Sequence, residues 1–190
     1  MWVTLYTDAS WHPGRREGGW AVWAKSEVGR IVRSGACPPY AKSATHAEMA
    51  AVFAGIYLVL RTWGAKVEGI QVRSDNQQAM EAVGVRAPLS RDPVLRRLQE
   101  KVRELVQGRV HIRPRWVKGH RNPQGDVTAW LNAHCDREAR RARKGLSPER
   151  SSRTHQPEAR APSASPTAIA SAPRHRKRKK KRRRRAQPTS

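Results

Sequence analysis

The sequence contains few cysteines and no long hydrophobic segment. Its two cysteines, Cys37 and Cys135, lack the spacing of a zinc site or of a disulfide framework. No apolar run approaches the roughly 20 residues that cross a bilayer, and no signal-like segment is recognised. A disulfide-stapled secreted domain and a membrane protein are therefore not expected, and a reducing cytoplasmic setting is the default.

Acidic residues are also scarce. The 190 residues include 15 Asp and Glu against 39 Lys and Arg, which gives a formal net charge of +24. Residues 1–144 carry 25 basic and 13 acidic side chains, and residues 145–190 carry 14 and 2, so each part has a net charge of +12. This excess predicts a polyanionic partner, most simply nucleic acid. Genomic compositional bias is the alternative explanation for the arginines of residues 1–144.

A change in composition near residue 145 predicts two parts. Residues 1–144 show apolar periodicity and are long enough for one domain with a sizeable core. Residues 145–190 are rich in Pro, Ser, Ala and Arg, and we predict a disordered linker that leads to the cationic cluster Arg174–Arg185. We expect a monomer. The cluster is compatible with nucleoid association, or with a nuclear location if the source is a eukaryote.

Residues 1–144 alternate between strand-like and helix-like patterns. The predicted elements, in order, are strands at Trp2–Asp8, Trp20–Ala24 and Arg30–Ala36, a helix at Ser43–Trp63, a strand at Gly69–Ser74, helices at Asn76–Val83 and Asp92–Gln107, a strand at Val110–Val117 and a helix at Val127–Ala142. The first three strands have short connections, so we expect an antiparallel meander. The order β-β-β-α-β-α-α-β-α predicts an α/β fold, with a five-stranded mixed sheet flanked by helices. Pro114 indicates that the last strand lies at a sheet edge.

Four acidic residues lie where such a fold can bring carboxylates together. Asp8 and Asp75 close two strands, Glu48 lies in the first turn of the long apolar helix, and Asp136 lies on the last helix. Three of them have an ordinary alternative: Glu48 could complete a capping box with Thr45, Asp75 could cap a helix, and Asp136 could be solvated. Asp8, at the end of the expected central strand, is harder to explain in such a way. Together they predict a site for hard divalent cations, which favours a metal-dependent nuclease.

A set of motifs, in this order and spacing, resembles ribonuclease H of type 1 across roughly residues 1–142. The motifs are Thr7-Asp8-Ala9-Ser10, Thr45-His46-Ala47-Glu48, Ser74-Asp75-Asn76-Gln77, Trp116-Val117-Lys118-Gly119-His120, and Asn132 followed by Cys135-Asp136. Any one of them alone is a weak signal. Their combination on this order of elements is a strong one.

The resemblance implies an endonuclease that cuts the RNA strand of RNA–DNA hybrids and leaves 5′-phosphate and 3′-hydroxyl ends. It implies that two Mg²⁺ ions, or Mn²⁺ as a substitute, are held by the catalytic residues Asp8, Glu48, Asp75 and Asp136. It also implies that His120 is a catalytic histidine that shuttles protons or releases product.

Substrate selection by this family implies contacts to the 2′-hydroxyl groups of RNA. By resemblance, the candidates on the RNA side are Ala9, Ser10, Thr45 and His46. Asn76, Gln77 and Asn132 are candidates for contacts either to the acidic residues or to the substrate. Trp116 is expected in the core, and Trp130 is expected to pack the last helix against the sheet.

The sequence departs from the family pattern in three places, one of which is Ala133, where many relatives have Glu directly after the Asn. Ala9 stands where the first motif usually has Gly, which narrows the backbone freedom beside the predicted metal site. The short connection over residues 84–91 leaves no room for the basic handle of bacterial relatives. We therefore expect the cluster Arg174–Arg185 to replace the handle as a phosphate tether. A nuclear-import-like signal and an RNA- or protein-binding tail are the alternatives for that cluster.

Two other functions fit the same scaffold. One is a DNA exonuclease, strand transferase or junction resolvase, which a preference for DNA-only substrates would support. The other is a catalytically inactive nucleic-acid-binding protein. A pure binder of polyanions gains nothing from clustered negative charge, so the four acidic residues argue against it.

Overall fold

The computed structural model describes residues 1–84, 86–119, 122 and 124–147. Two of the sequence-based predictions lie outside these residues: the catalytic role of His120, and the linker and cationic cluster after residue 147. None of the helices in the described ranges combines the length and the apolarity needed to span a bilayer.

The centre of the fold is a mixed sheet. Its strands are β1 (Trp2–His12), β2 (Glu17–Ser26), β3 (Gly29–Ala36), β4 (Gly69–Ser74) and β5 (His111–Trp116). They lie in the order β3-β2-β1-β4-β5, where β1, β2 and β3 pair antiparallel, and β4 and β5 are parallel to β1. The predicted five-stranded sheet and its opening meander are confirmed, and Pro114 does lie on an edge strand.

Four α-helices flank the sheet within the described residues: α1 (Ala44–Trp63), α2 (Gln77–Val83), α3 (Pro93–Val106) and α4 (Val127–Arg143). Each begins at a residue whose side chain accepts a backbone N–H of the first turn, and these N-cap residues are Ser43, Asn76, Asp92 and Asp126. The capping explanations for two acidic residues are therefore wrong. Helix α1 is capped by Ser43, which puts Glu48 in its second turn, and α2 is capped by Asn76 rather than by Asp75.

The two faces of the sheet carry separate apolar clusters. Leu5 on β1 and Val72 on β4 pack with residues of α1, α2 and α3, whereas Tyr6 packs with residues of α4. This follows from the strand geometry, because successive side chains point to opposite faces. The helix α4 approaches β2 so closely that a Cβ on Gly19 would overlap the backbone of α4. The distance between α4 and the sheet, and with it the position of the polar residues of α4, therefore depends on a glycine in β2.

One tryptophan does not occupy its predicted place. Trp116, expected in the core, is 55 % exposed. It ends the edge strand β5, and its indole Nε1 donates a hydrogen bond to the backbone oxygen of Asp75 at 2.9 Å. Trp130 is partly buried against the cluster that contains Tyr6, so its prediction as a contact between α4 and the sheet is confirmed.

Candidate active site

Three carboxylates meet at the point where β1 and β4 part. The last paired residues of the parallel strands β1 and β4 are Tyr6 and Arg73. Asp8 and Asp75 lie two residues beyond them. Strand β1 does not close at Asp8 as predicted, because it continues to His12 in its pairing with β2. Helix α1 contributes Glu48, and one carboxylate oxygen from each of the three acids lies within 4.8 Å of the others.

Two members of the cluster, Asp8 and Glu48, are buried, and Asp75 is partly buried. Asp8 is only 5 % exposed, and this burial, with repulsion from Asp75 and Asp136, raises its pKa to about 8. The backbone N–H of Ala9 offsets part of this by donating to Asp8 Oδ1 at 2.7 Å. Burial, followed by repulsion from Asp8 and Asp75, also raises the pKa of Glu48 well above its ordinary value. The Oε2 atom of Glu48 has no hydrogen-bond partner in the described part of the chain.

Asp75 is held from two directions. The side-chain amide of Asn132 on α4 donates to Asp75 Oδ2 at 3.1 Å, and Trp116 donates to the Asp75 backbone oxygen. A Cβ on Gly119 would overlap the Asp75 carboxylate, so the predicted Lys-Gly-His motif needs its glycine to pass this side chain.

The fourth predicted acid lies in the same pocket with a partner of its own. Asp136 lines the pocket with Asp8, Glu48 and Asp75, and its Oδ1 accepts a hydrogen bond from Arg140 Nε at 2.8 Å. This is an i,i+4 ion pair on the surface of α4, not a solvated single residue. The group whose carboxylate oxygens lie within 4.8 Å of one another consists of Asp8, Glu48 and Asp75, and Asp136 is not part of it.

Two cations also line the pocket, and the sequence reasoning does not identify either as a site residue. Lys118 belongs to one of the five motifs, whereas Arg140 lies outside all of them. The four-residue spacing from Asp136 to Arg140 on a predicted helix is the available signal for the second. Both place positive charge beside the acids, where a phosphate group would approach.

The predicted substrate residues fall into two groups. Ala9 and Asn132 line the acidic pocket. Ser10, Thr45, Asn76 and Gln77 are not among the pocket-lining residues; Ser10 continues β1, and the others form local contacts. Thr45 Oγ1 donates to Gln78 at 2.9 Å, Asn76 caps α2, and Gln77 donates to Glu81 at 2.8 Å.

The side chain of His46 has a structural role. The residue is 7 % exposed, and its Nδ1 accepts the backbone N–H of Lys42 at 3.1 Å. That bond leaves Nε2 to donate to Asp92 Oδ2 at 3.0 Å. The imidazole thus joins the start of α1 to the start of α3, and it holds in place the turn that precedes Glu48.

The residues of the pocket fit a hard divalent cation. Carboxylate oxygens are the ligands that Mg²⁺ prefers. The buried, unpartnered Glu48 Oε2 and the raised pKa of Asp8 both indicate a site whose charge is balanced by a cation. Carboxylates gathered in this way between parting parallel strands are the groups that a metal-dependent hydrolase of nucleic acids requires.

The family model for RNase H matches residues 2–144. The chain belongs to the RNase H family, and it is therefore an enzyme with ribonuclease H activity, of a family that generally uses divalent metal ions. The comparison with curated protein sequences gives no significant match.

Solved structures with the same fold come from distant relatives. The N-terminal RNase H domain of Rv2228c from Mycobacterium tuberculosis has a TM-score of 0.59 and 17% identity, with 76% of this chain and 94% of that chain covered. RNase H1 of the archaeon Halobacterium salinarum NRC-1 has a TM-score of 0.56 and 23% identity, covering 77% and 100%. LC11-RNase H1 from compost, solved in complex with an RNA/DNA hybrid, has a TM-score of 0.58 and 16% identity, covering 75% and 97%. At these identities the likeness shows the fold.

Proposed function

We propose that the chain is an endonuclease that hydrolyses the RNA strand of RNA–DNA hybrids with two Mg²⁺ ions and leaves 5′-phosphate and 3′-hydroxyl ends. Mn²⁺ is the expected substitute. The observation that carries the proposal is the meeting of Asp8, Glu48 and Asp75 within 4.8 Å in a pocket that also contains Asp136. A hybrid as the substrate is supported by the complex of LC11-RNase H1 with an RNA/DNA hybrid.

The four acids are the proposed metal ligands. Asp8 would be a shared member of the ligand set, because it interacts with Glu48, Asp75 and Asp136. When bound, the ions supply an activated water and neutralise the charge that develops on the leaving oxygen. The positive charge of the ions also lets Asp8 and Glu48 ionise in a buried site that otherwise keeps them protonated.

The remaining pocket residues orient the reacting groups. Asn132 fixes the plane of the Asp75 carboxylate through its 3.1 Å hydrogen bond. Arg140 holds Asp136 at 2.8 Å, and with Lys118 it supplies positive charge for a phosphate next to the acids. His120 retains the proposed role of moving a proton or assisting product release.

Recognition of the hybrid is proposed to depend on the 2′-hydroxyl groups of its RNA strand. Ala9 and Asn132 are the candidates inside the pocket, and Ser10, Thr45, His46, Asn76 and Gln77 are the candidates outside it. Both ring nitrogens of His46 and its backbone N–H already have partners, so a contact from this residue to the substrate would have to replace one of them. The cluster Arg174–Arg185 is proposed to hold the phosphate backbone without regard to sequence. We further propose a monomer in the cytoplasm, associated with nucleic acid.

The proposal is tested with end-labelled substrates of one sequence: an RNA–DNA hybrid, duplex RNA, duplex DNA and single-stranded RNA. Each is incubated with the full chain in Mg²⁺, in Mn²⁺ and in a chelator. We expect cleavage of the RNA strand of the hybrid alone, and only with a divalent ion. Cutting of duplex DNA in preference to the hybrid would replace the proposal with a DNA nuclease on the same fold.

A further inference from the structure

One face of the sheet is only partly covered by helix. The helix α4 packs against β1, β2 and β3 on the side that Tyr6 faces. Beyond β1, the same side continues over β4 and the edge strand β5. The parallel register aligns Tyr6 with Arg73 and Arg115 in one row across the three strands. Arg113 lies in the row two residues closer to the N-terminal ends of the three strands, beside Thr4 and Gln71.

This uncovered side carries positive charge. We define the basic face as Trp2, Arg73, His111, Arg113 and Arg115. Of the nine residues on this side in the aligned rows of β1, β4 and β5, none is acidic. Glu68 borders the face, but its carboxylate pairs with the N-terminal amino group at 2.9 Å.

The arginines of the basic face play two roles. Arg73 is fixed, since it donates to Gln71 Oε1 at 2.6 Å and to the Tyr6 hydroxyl at 2.6 Å. Arg113 and Arg115 are exposed, and their side chains make no hydrogen bond or ion pair to any residue in the described ranges. Their guanidinium groups therefore keep donors that match the oxygens of a phosphate.

Trp2 adds an aromatic surface to the same face. The residue is 40 % exposed, and its ring lies across Gly69, where any Cβ would overlap it. The guanidinium carbon of Arg113 lies 4.2 Å from the centroid of the ring. An exposed indole beside paired arginines is the combination with which proteins bind single-stranded nucleic acid, because bases stack on the ring while cations contact the phosphates.

The basic face is continuous with the active site. The row of Tyr6, Arg73 and Arg115 lies two residues before Asp8 and Asp75 along their strands, a step of about 6.6 Å. A nucleic-acid strand that leaves the carboxylates in this direction meets Arg115 first and Trp2 last. A duplex offers no unstacked bases to the ring, whereas a single strand does.

We propose that the basic face binds a single-stranded extension of the substrate, next to the paired segment that occupies the carboxylates. The choice of nucleic acid over another polyanion rests on the proposed function. The face would let the enzyme prefer hybrids that border single strands: Arg115 and Arg113 would contact phosphates, and a base would take the place of the Arg113 guanidinium on the Trp2 ring.

The test measures binding by the full chain in a chelator, so that no cleavage occurs. Fluorescence anisotropy compares a blunt hybrid with hybrids that carry a single-stranded extension of about 10 nucleotides at each strand end in turn, a length within known single-strand site sizes. The variant is Arg113→Ala/Arg115→Ala. The matched control is Arg30→Ala/Arg33→Ala, which removes two exposed arginines from the opposite edge strand β3. Residues 145–190 are common to all the proteins.

We expect the wild type to bind one extended hybrid about fivefold or more tightly than the blunt one. The Arg113/Arg115 variant should lose that advantage, with a salt slope lower by about 1.4 because two phosphates of the single strand are no longer neutralised. The control should keep the advantage. Trp2→Ala should weaken binding of a hybrid whose single-stranded extension carries bases. It should leave unchanged the binding of a hybrid whose extension is abasic, because no base is there to stack on the ring.

Three results would overturn the proposal: no extension improves binding, the two double variants lose affinity equally, or polyglutamate competes as well as a single strand does. Binding is measured without metal, so this test does not depend on cleavage. If the cleavage test of the proposed function fails, the binding test of the basic face can still be interpreted.

Discussion

The side-chain amide of Asn132 on α4 donates a hydrogen bond to Asp75 Oδ2 at 3.1 Å and thereby ties α4 to the end of β4. Asn132 is 5 % exposed, and its Oδ1 has no partner among the described residues. The bond crosses from a helix on one face to an acid at the edge of the central strands. The orientation of Asp75 therefore depends on a residue 57 positions away in the chain.

Removal of that amide should weaken metal binding. Asn132→Ala leaves Asp75 without its donor, and we expect a loss of about 10- to 100-fold in metal affinity or activity. The measurement is the dependence of the hybrid cleavage rate on Mg²⁺ concentration. An unchanged midpoint and an unchanged maximum rate would show that Asn132 does not orient the acid.

The burial of Asp8 should make the metal-free protein less stable as the pH rises. Between the ordinary value of 3.8 and its raised pKa of about 8, the folded protein keeps a proton on Asp8 that the unfolded chain releases. The contribution of this group to stability therefore falls across that window. Asp8→Asn removes the ionising group and should raise stability at pH 8 by about 1 to 3 kcal/mol, or about 2 to 4 °C in Tm for each kcal/mol.

The check is thermal unfolding of wild type and Asp8→Asn in a chelator across that pH range, followed by addition of Mg²⁺. The difference between the two proteins should vanish near pH 4 and grow toward pH 8, and Mg²⁺ should raise the Tm of the wild type more than that of the variant. A variant that is less stable than the wild type at pH 8 would mean that Asp8 is ionised and well partnered without metal.

Gly119 should be needed for activity more than for stability. A Cβ at this position would lie 3.2 Å from both Cβ and Cγ of Asp75, so Gly119→Ala must displace the acid or the loop. A displacement of about 1 Å can reduce the rate about 100-fold. Gly84→Ala is the matched control, because its nearest heavy atom would be 3.7 Å away. Equal cleavage rates for the two variants would contradict the prediction.

The basic tail should govern binding and not chemistry. Deletion of residues 145–190 removes 14 basic and 2 acidic side chains. Hybrid binding should weaken, and its logarithmic salt dependence should flatten by about 0.9 for each phosphate that the tail neutralises in the full chain. The rate at saturating substrate should stay the same. A binding isotherm taken at several salt concentrations decides this, and an unchanged slope would exclude the tether.

The order of elements and the acidic cluster could be predicted because they depend on local patterns. Alternation identified β1 and β4, and parallel pairing then required Asp8 and Asp75 to be neighbours. The N-caps were harder to assign, since several polar residues precede each helix. Ser43 rather than Thr45 begins α1, and this shift moves Glu48 out of the first turn.

Side-chain partners across the fold could not be read from the sequence. The bond from His46 to Asp92 joins residues 46 positions apart, so the imidazole of a candidate for substrate contact links two helices. Trp116 was expected in the core rather than as a stacking platform, but it ends an edge strand, where one side has no neighbouring strand, and it is exposed. The basic face likewise depends on the register of three strands.

The most direct test of the central claim is cleavage of a labelled RNA–DNA hybrid by wild type, by Asp8→Asn and by Glu100→Gln, which alters an exposed acid on α3. The reactions are run with Mg²⁺ and with a chelator, and binding is measured in parallel. We expect wild type and Glu100→Gln to cut the RNA strand only with Mg²⁺, and Asp8→Asn to bind the hybrid without cutting it. Equal cutting by Asp8→Asn, or cutting by the wild type in the chelator, would contradict a metal-dependent site built on these acids.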